Sequence, residues 1–369
     1  MSAGRKIWTV GWRLLVCALL MLWILHAIFL NEGKSVFERQ GGKWESLSRS
    51  AQWESAWTHG PRELWQTLTL IDPVAGALSL VFMGLTIFIG IYRWHMVLRI
   101  QGLGLPLARA AEISLVAHFF NSFLLGSTGG DLIKAYYAAR ETHHKKPEAV
   151  ATVFLDRIIG LFAMLLFAGL MMIPNFNLIA SDNRLGTLSA FILLMLLGCG
   201  GLVLVALWGG VSKTVPKARE WLRRLPKADV LERALDACRS FGKERGFLAR
   251  ALGVSMVLNA VCVLQFIALA WGMGLSIPVT ALFVIVPMII CVSALPITPS
   301  GLGVRENLYV LILASPLFGV AATHALSLSL LAYAGSLFWS LIGGVVYATL
   351  RERHHLAEVT RSDSASEAP

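Results

Sequence analysis

The sequence predicts an all-α polytopic membrane protein with about six full spans and two broken re-entrant hairpins, eight or so hydrophobic segments arranged as an inverted repeat. Three observations lead there. Charge is scarce: 56% of residues are hydrophobic, 15% are charged and the mean hydropathy is +0.67, whereas a soluble domain carries about one quarter charged residues. Apolar runs of about 20 residues, enough to cross a bilayer as helix, recur along the chain. Two further apolar segments are interrupted by glycines, hydroxyl residues and prolines.

The first span covers residues 10–30 and follows Arg5 and Lys6. Its apolar core exceeds a secretory h-region, and "HAIFLNEGK" offers no small-x-small cleavage site, so it reads as an uncleaved span. Residues 31–72 form an outer loop. Trp44, Trp53, Trp57 and Trp65 recur in it at intervals suited to a segment lying at the headgroup level. Within it, "HGPREL" reads as one helix stopping and another starting at Pro61.

The membrane domain is expected over 73–350, beginning with a second span at 74–92. Residues 110–125 are apolar but short and contain Glu112, His118 and Asn121. Both flanks are basic, so a hairpin that enters from the inside and returns satisfies them better than a crossing. Non-helical backbone at membrane depth is tolerated only against protein or a watery cavity. Gly126, Ser127, Thr128, Gly129 and Gly130 allow that close approach. Spans follow at 150–173 and 188–208. Residues 211–250 are then cytoplasmic, with an apolar stripe through Trp221, Leu225, Leu231 and Leu235 on helices rich in Lys and Arg, suited to an anionic leaflet.

The second half repeats the order. A span at 252–272 leads to "SALPITPSGLGVRENLYVLIL", residues 293–313, and then to a span at 321–350. In both halves an apolar segment meets a break, a hydroxyl–glycine cluster, a charge and a new helix. Interrupted segments at corresponding places in two inverted halves point to a transporter's binding site. The tail, 351–369, is polar and expected to be disordered, with no soluble domain at either end.

The net charge of +10 does not require nucleic acid. Residues 211–250 hold eleven Lys/Arg against five Asp/Glu, the N-terminus is basic, and Arg93, Arg99 and Arg109 count as flank charges without an acid. This positive-inside pattern places the N-terminus, residues 93–109, residues 211–250 and "RERHH" in the cytoplasm. The five cysteines lie far apart in apolar runs, without a disulfide framework or CxxC pair. His143–His144 and His354–His355 are adjacent and exposed, no HExxH exists, and "GSTGGDLIK" is not a Walker A loop. No cofactor, metal or catalytic residue is expected.

The candidate site rests on charges at membrane depth: Asp131, Lys134, Asp156, Arg157, Arg305 and Glu306. Each costs several kcal/mol unless paired or hydrated. Adjacent helical residues do not face each other, so Asp156 and Arg157 should reach different partners. A purely structural set of ion pairs is one reading; an inward-facing polar cavity is the other. In the second, Gly129–Asp131 and Gly303–Arg305 precede helices, whose free amides and positive dipole ends would hold an anion. Gly129, Gly130, Gly301 and Gly303 would shape the backbone, with Ser300 and Asn121 beside them.

With "FFNSFLLGSTGGDLIKAY", "AVATVFLDRIIGL" and "PITPSGLGVRENLYV" in this order, the chain resembles the lysylphosphatidylglycerol synthase transmembrane region, or flippase-like domain family, over roughly residues 75–350. Leu125 stands where that family usually has proline, and Lys134 where it usually has arginine. The charge is kept there, but a bidentate grip on phosphate is weakened. The resemblance implies a stand-alone multi-span domain that handles lipids, without the soluble aminoacyltransferase domain that some members carry. The expected function is to bind and translocate (flip) an anionic phospholipid or lipid-linked headgroup. The alternative is a non-transporting membrane partner of a lipid-linked glycosyltransferase or aminoacyltransferase, docked through residues 216–250. A weaker one is a lipid-modifying enzyme with Asp131 or Glu306 as base. Expected partners are membrane lipids and a lipid-modifying enzyme, with the oligomeric state left open.

Overall fold

The computed structural model describes residues 41–69, 71–122, 129–142, 146–207, 245–295, 301 and 303–349, with scattered positions between 22 and 38. Most of the first span, the Gly126–Thr128 cluster, Ser300, nearly all of the 211–250 segment and the 351–369 tail lie outside the described residues. Within them the chain is helical, without a strand. A 3-10 turn at Trp44–Ser46 precedes α1 (Arg49–Thr69), α2 (Pro73–Ile100), α3 (Leu107–Asn121), α4 (Gly129–Glu141), α5 (Lys146–Met172) and α6 (Phe176–Ala180). Then come α7 (Asn183–Leu207), α8 (Arg245–Gly272), α9 (Val279–Ser293), α10 (Val304–Leu313) and α11 (Ala322–Thr349).

Five of these, α2, α5, α7, α8 and α11, are long and apolar enough to cross a membrane. They match five of the six expected spans; the remaining one is the N-terminal span. The hairpin arms are shorter. At a rise of 1.5 Å per residue the 15 residues of α3 and of α9 reach about 22 Å, short of the roughly 30 Å hydrocarbon core. The chain is a polytopic helical membrane protein.

The two halves share one register. α2 and α8 each have 28 residues, α3 and α9 each have 15, and each of the second pair lies 172 positions after the first. The connections match too. Gly102 and Gly274 turn with φ of +64° and +66°, and Pro106 and Pro278 stand at the N-caps of α3 and α9. The helix contacts repeat the correspondence. α3 packs on α11 as α9 packs on α5, and α2 on α11 as α8 on α5. α4 packs on α5 as α10 packs on α11.

The two leading helices, α2 and α8, form the most extensive contact and run antiparallel. The Asp72 amide donates to the Gly272 carbonyl at 3.0 Å, while Arg93, further along α2, reaches back to Ser255. Matching helices in opposite directions make the repeat an inverted one. Each hairpin is buried beside its own spans: Trp94, Ile113, Ala135 and Val153 form one core, and Leu269, Ile285, Tyr309 and Leu328 another.

Three local expectations are corrected. α1 runs unbroken through Pro61. Gly60 and Ala56 lie against Phe29 and Gly33, and this packing outweighs the one hydrogen bond that proline removes. α2 does not stop at Tyr92 but continues to Ile100, so Arg93 and Arg99 belong to a helix rather than a loop. Arg109 is not a lone flank charge either; it pairs with Glu112 and Glu141, closing the base of the α3–α4 hairpin.

Candidate functional site

Where the two broken hairpins meet the spans, a cavity of about 420 Å³ opens between the halves. Its charged lining is Arg93 on α2, Asp131 on α4, Asp156 and Arg157 on α5, and Arg305 on α10. Three arginines therefore face two aspartates. An apolar side is supplied by Leu161, Met164, Leu258 and Ile290.

Asp156 is the centre of the tightest cluster. It is buried, and its Oδ1 accepts from Arg93 Nε at 2.8 Å while Lys134 Nζ lies 3.5 Å from Oδ2. Arg93 also donates to Ser255 Oγ at 3.0 Å. Lys134 sits over the Trp94 ring, 4.1 Å from its centroid. One carboxylate is thus shared by two cations, so the cluster keeps one net positive charge. Arg157 turns the other way, its Nε 3.6 Å from Asp131 Oδ2. Asp156 and Arg157 therefore reach different partners, as helix geometry requires.

The helix N-termini differ from the expected open amides. Asn121, at the end of α3, accepts the Gly130 amide through Oδ1 at 2.7 Å and so caps α4. A Cβ on Gly130 would collide with the Ala117 carbonyl oxygen, so only glycine fits there. In the second break Gly301 and Gly303 have φ of +71° and +83°, a region that L side chains rarely adopt. Glu306 folds back to cap its own helix, accepting the Gly303 amide at 2.6 Å. Its other oxygen takes Arg305 and, at 3.3 Å, the Ser329 hydroxyl. This fold-back in the first turn is why two adjacent residues, Arg305 and Glu306, meet. Arg305 also donates to Ser329 Oγ at 3.0 Å and stands 4.7 Å from the Tyr333 ring centroid.

Of the residues singled out in the sequence, Asn121, Asp131, Asp156, Arg157 and Arg305 line the cavity. Lys134 and Glu306 are buried behind it, and the described glycines shape the breaks without lining it. Ser300 lies outside the described residues. Sequence reasoning passed over Arg93, Asn259, Tyr333 and Ser336, and noted His118 without a role. For Arg93 a signal existed: no breaker follows until Gly102, so the helix carries it two turns in from its end. His118, Tyr333 and Ser336 reach the cavity through contacts across more than 200 positions, His118 with the Ser336 carbonyl and Tyr333 with the Ser122 carbonyl.

What this arrangement can do is hold an anionic group against arginines beside an apolar wall. A family model described as the lysylphosphatidylglycerol synthase TM region matches residues 46–344. The match begins upstream of the three motifs and takes in α1. A comparison with curated proteins gave no match.

Proposed function

The chain belongs to the lysylphosphatidylglycerol synthase transmembrane-region family, whose members are lipid-related membrane proteins, and from that premise we propose that it binds an anionic lipid headgroup in the cavity and carries it between leaflets. The observation that supports this most is the meeting of Arg93, Arg157 and Arg305 in one cavity at the junction of two inverted broken hairpins. Arginine suits phosphate, offering a planar fork of donors that stays charged. The apolar side would let acyl chains remain in the bilayer while the headgroup enters. The Asp131–Arg157 pair, the longest of these ion pairs and the most exposed, is the one a phosphate would open.

In this reading the protein performs no covalent chemistry. It sits in an inner membrane with both termini cytoplasmic, and a lipid-modifying enzyme supplies or consumes its cargo. The test is exchange of a tail-labelled anionic phospholipid between leaflets of proteoliposomes. Wild-type protein should accelerate exchange over empty vesicles. Arg305→Ala should slow it about tenfold or more, the loss of one charge-assisted hydrogen bond. Exchange no faster than in empty vesicles would refute translocation.

A further inference from the structure

The charges that meet between α2, α4 and α5 do not balance. Among the described residues Arg93, Lys134 and Arg157 stand there against Asp131 and Asp156, while Arg305 and Glu306 cancel each other on α10. With every group ionised, the cluster carries one positive charge in excess. At membrane depth such an excess is costly unless something offsets it.

Lys134 is the cation that can remove it. A guanidinium stays charged in proteins, whereas an amine has a neutral form. The geometry suits release. Arg93 holds Asp156 at 2.8 Å, but Lys134 Nζ lies 3.5 Å from the same carboxylate, longer than a strong charge-assisted bond. Asp156 therefore keeps a partner when Lys134 is neutral. The other ionisable groups around it are committed elsewhere. Asp131, on the same helix, pairs with Arg157 of α5, and His118 on α3 lies against the Ser336 carbonyl. Arg109 and Glu112 of α3 are tied together at the hairpin base, where Arg109 also holds Glu141.

An anion entering the cavity shifts the balance. With Lys134 neutral, the empty cluster sums to zero. With Lys134 charged, the cluster and one bound negative charge again sum to zero. Both states avoid a buried excess only when anion and proton arrive together. Resting on the anionic-headgroup reading above, we propose that the cavity takes up a proton from solvent with its anionic headgroup, the proton seated on Lys134 Nζ, so that lipid and proton form one neutral load. The ammonium is the form that accompanies the anion, so binding weakens as pH rises through the lysine's titration.

Phosphatidylethanol, a phosphodiester, keeps one negative charge from about pH 6 to pH 10, so its affinity follows the titration of the protein. A tail-labelled form bound to the purified protein in neutral detergent, read by fluorescence anisotropy, should lose affinity with rising pH. The loss should approach about tenfold per pH unit on the alkaline limb, as one linked proton gives. Lys134→Arg, which fixes the charge, should flatten the profile while binding persists. Lys134→Met, which fixes neutrality, should flatten it at the weak end. A wild-type affinity that does not change with pH overturns the proton proposal and leaves anionic binding standing. A slope kept in both variants overturns Lys134 as the seat of the proton. Absence of binding at every pH overturns the underlying reading as well.

Discussion

In the first hairpin the charges of α4 reach out to other helices: Lys134 to Asp156 on α5 and to the Trp94 ring on α2, and Asp131 to Arg157. In the second, α10 settles its charges largely at its own first turn, with Glu306 capping Gly303 and holding Arg305, and only Ser329 and Tyr333 of α11 assisting. The 172-residue offset sharpens the contrast. It sets Lys134 against Glu306 and Arg93 against Gln265. The arms, turns and contacts are repeated while the charges are not. Backbone geometry, the glycine turns and proline caps, carries the shared shape, and the electrostatics of each half are free to differ.

The comparison breaks first at Asp156. Asp156→Asn would leave Arg93 and Lys134 buried without their counterion, a loss of about 3–5 kcal/mol, read as a large fall in thermal stability of the detergent-solubilised protein. A variant as stable as wild type would mean the cluster is hydrated rather than buried. Next is Gly130→Ala, which pushes a methyl into the Ala117 carbonyl and the Asn121 cap. About 2–3 kcal/mol is expected, in the upper range for overpacking, from the same thermal assay. Glu306→Gln should cost less, about 1–2 kcal/mol, because the glutamine oxygen can keep the cap and Arg305 retains Ser329 and Tyr333. Equal losses for Asp156→Asn and Glu306→Gln would erase the proposed distinction between the hairpins. The smallest stability effect belongs to Arg157→Gln, below about 1 kcal/mol for so long and partly exposed a pair. The same variant should lose most of the leaflet exchange, a combination that a purely structural ion pair would not produce.

Much of this was legible in the sequence. Spans declare themselves because about 20 apolar residues have few other places to go, and five of them fall where the apolar runs lie. The breaks were visible in glycine and hydroxyl clusters. The divergence of Asp156 and Arg157 followed from helix geometry. Arg93 was misplaced because the first charge after an apolar run was read as the helix end, although a buried carboxylate 63 positions away pays for keeping it inside. The capping roles of Asn121 and Glu306 were hidden for a related reason. A polar residue near a break can serve a ligand or the backbone, and only the fold decides. His118 and Tyr333 had no local signal, since their partners lie more than 200 positions along the chain.

α7 has no counterpart in the repeat. It packs on α5 from the first half and on α9 and α10 from the second, and Arg184 at its start donates to the Leu311 carbonyl near the end of α10 at 2.8 Å. A rocker with two equal arms would rest in either tilt with equal ease. Here α7 bridges the α9–α10 arm to α5 of the other half, so the two arms are held by different sets of contacts.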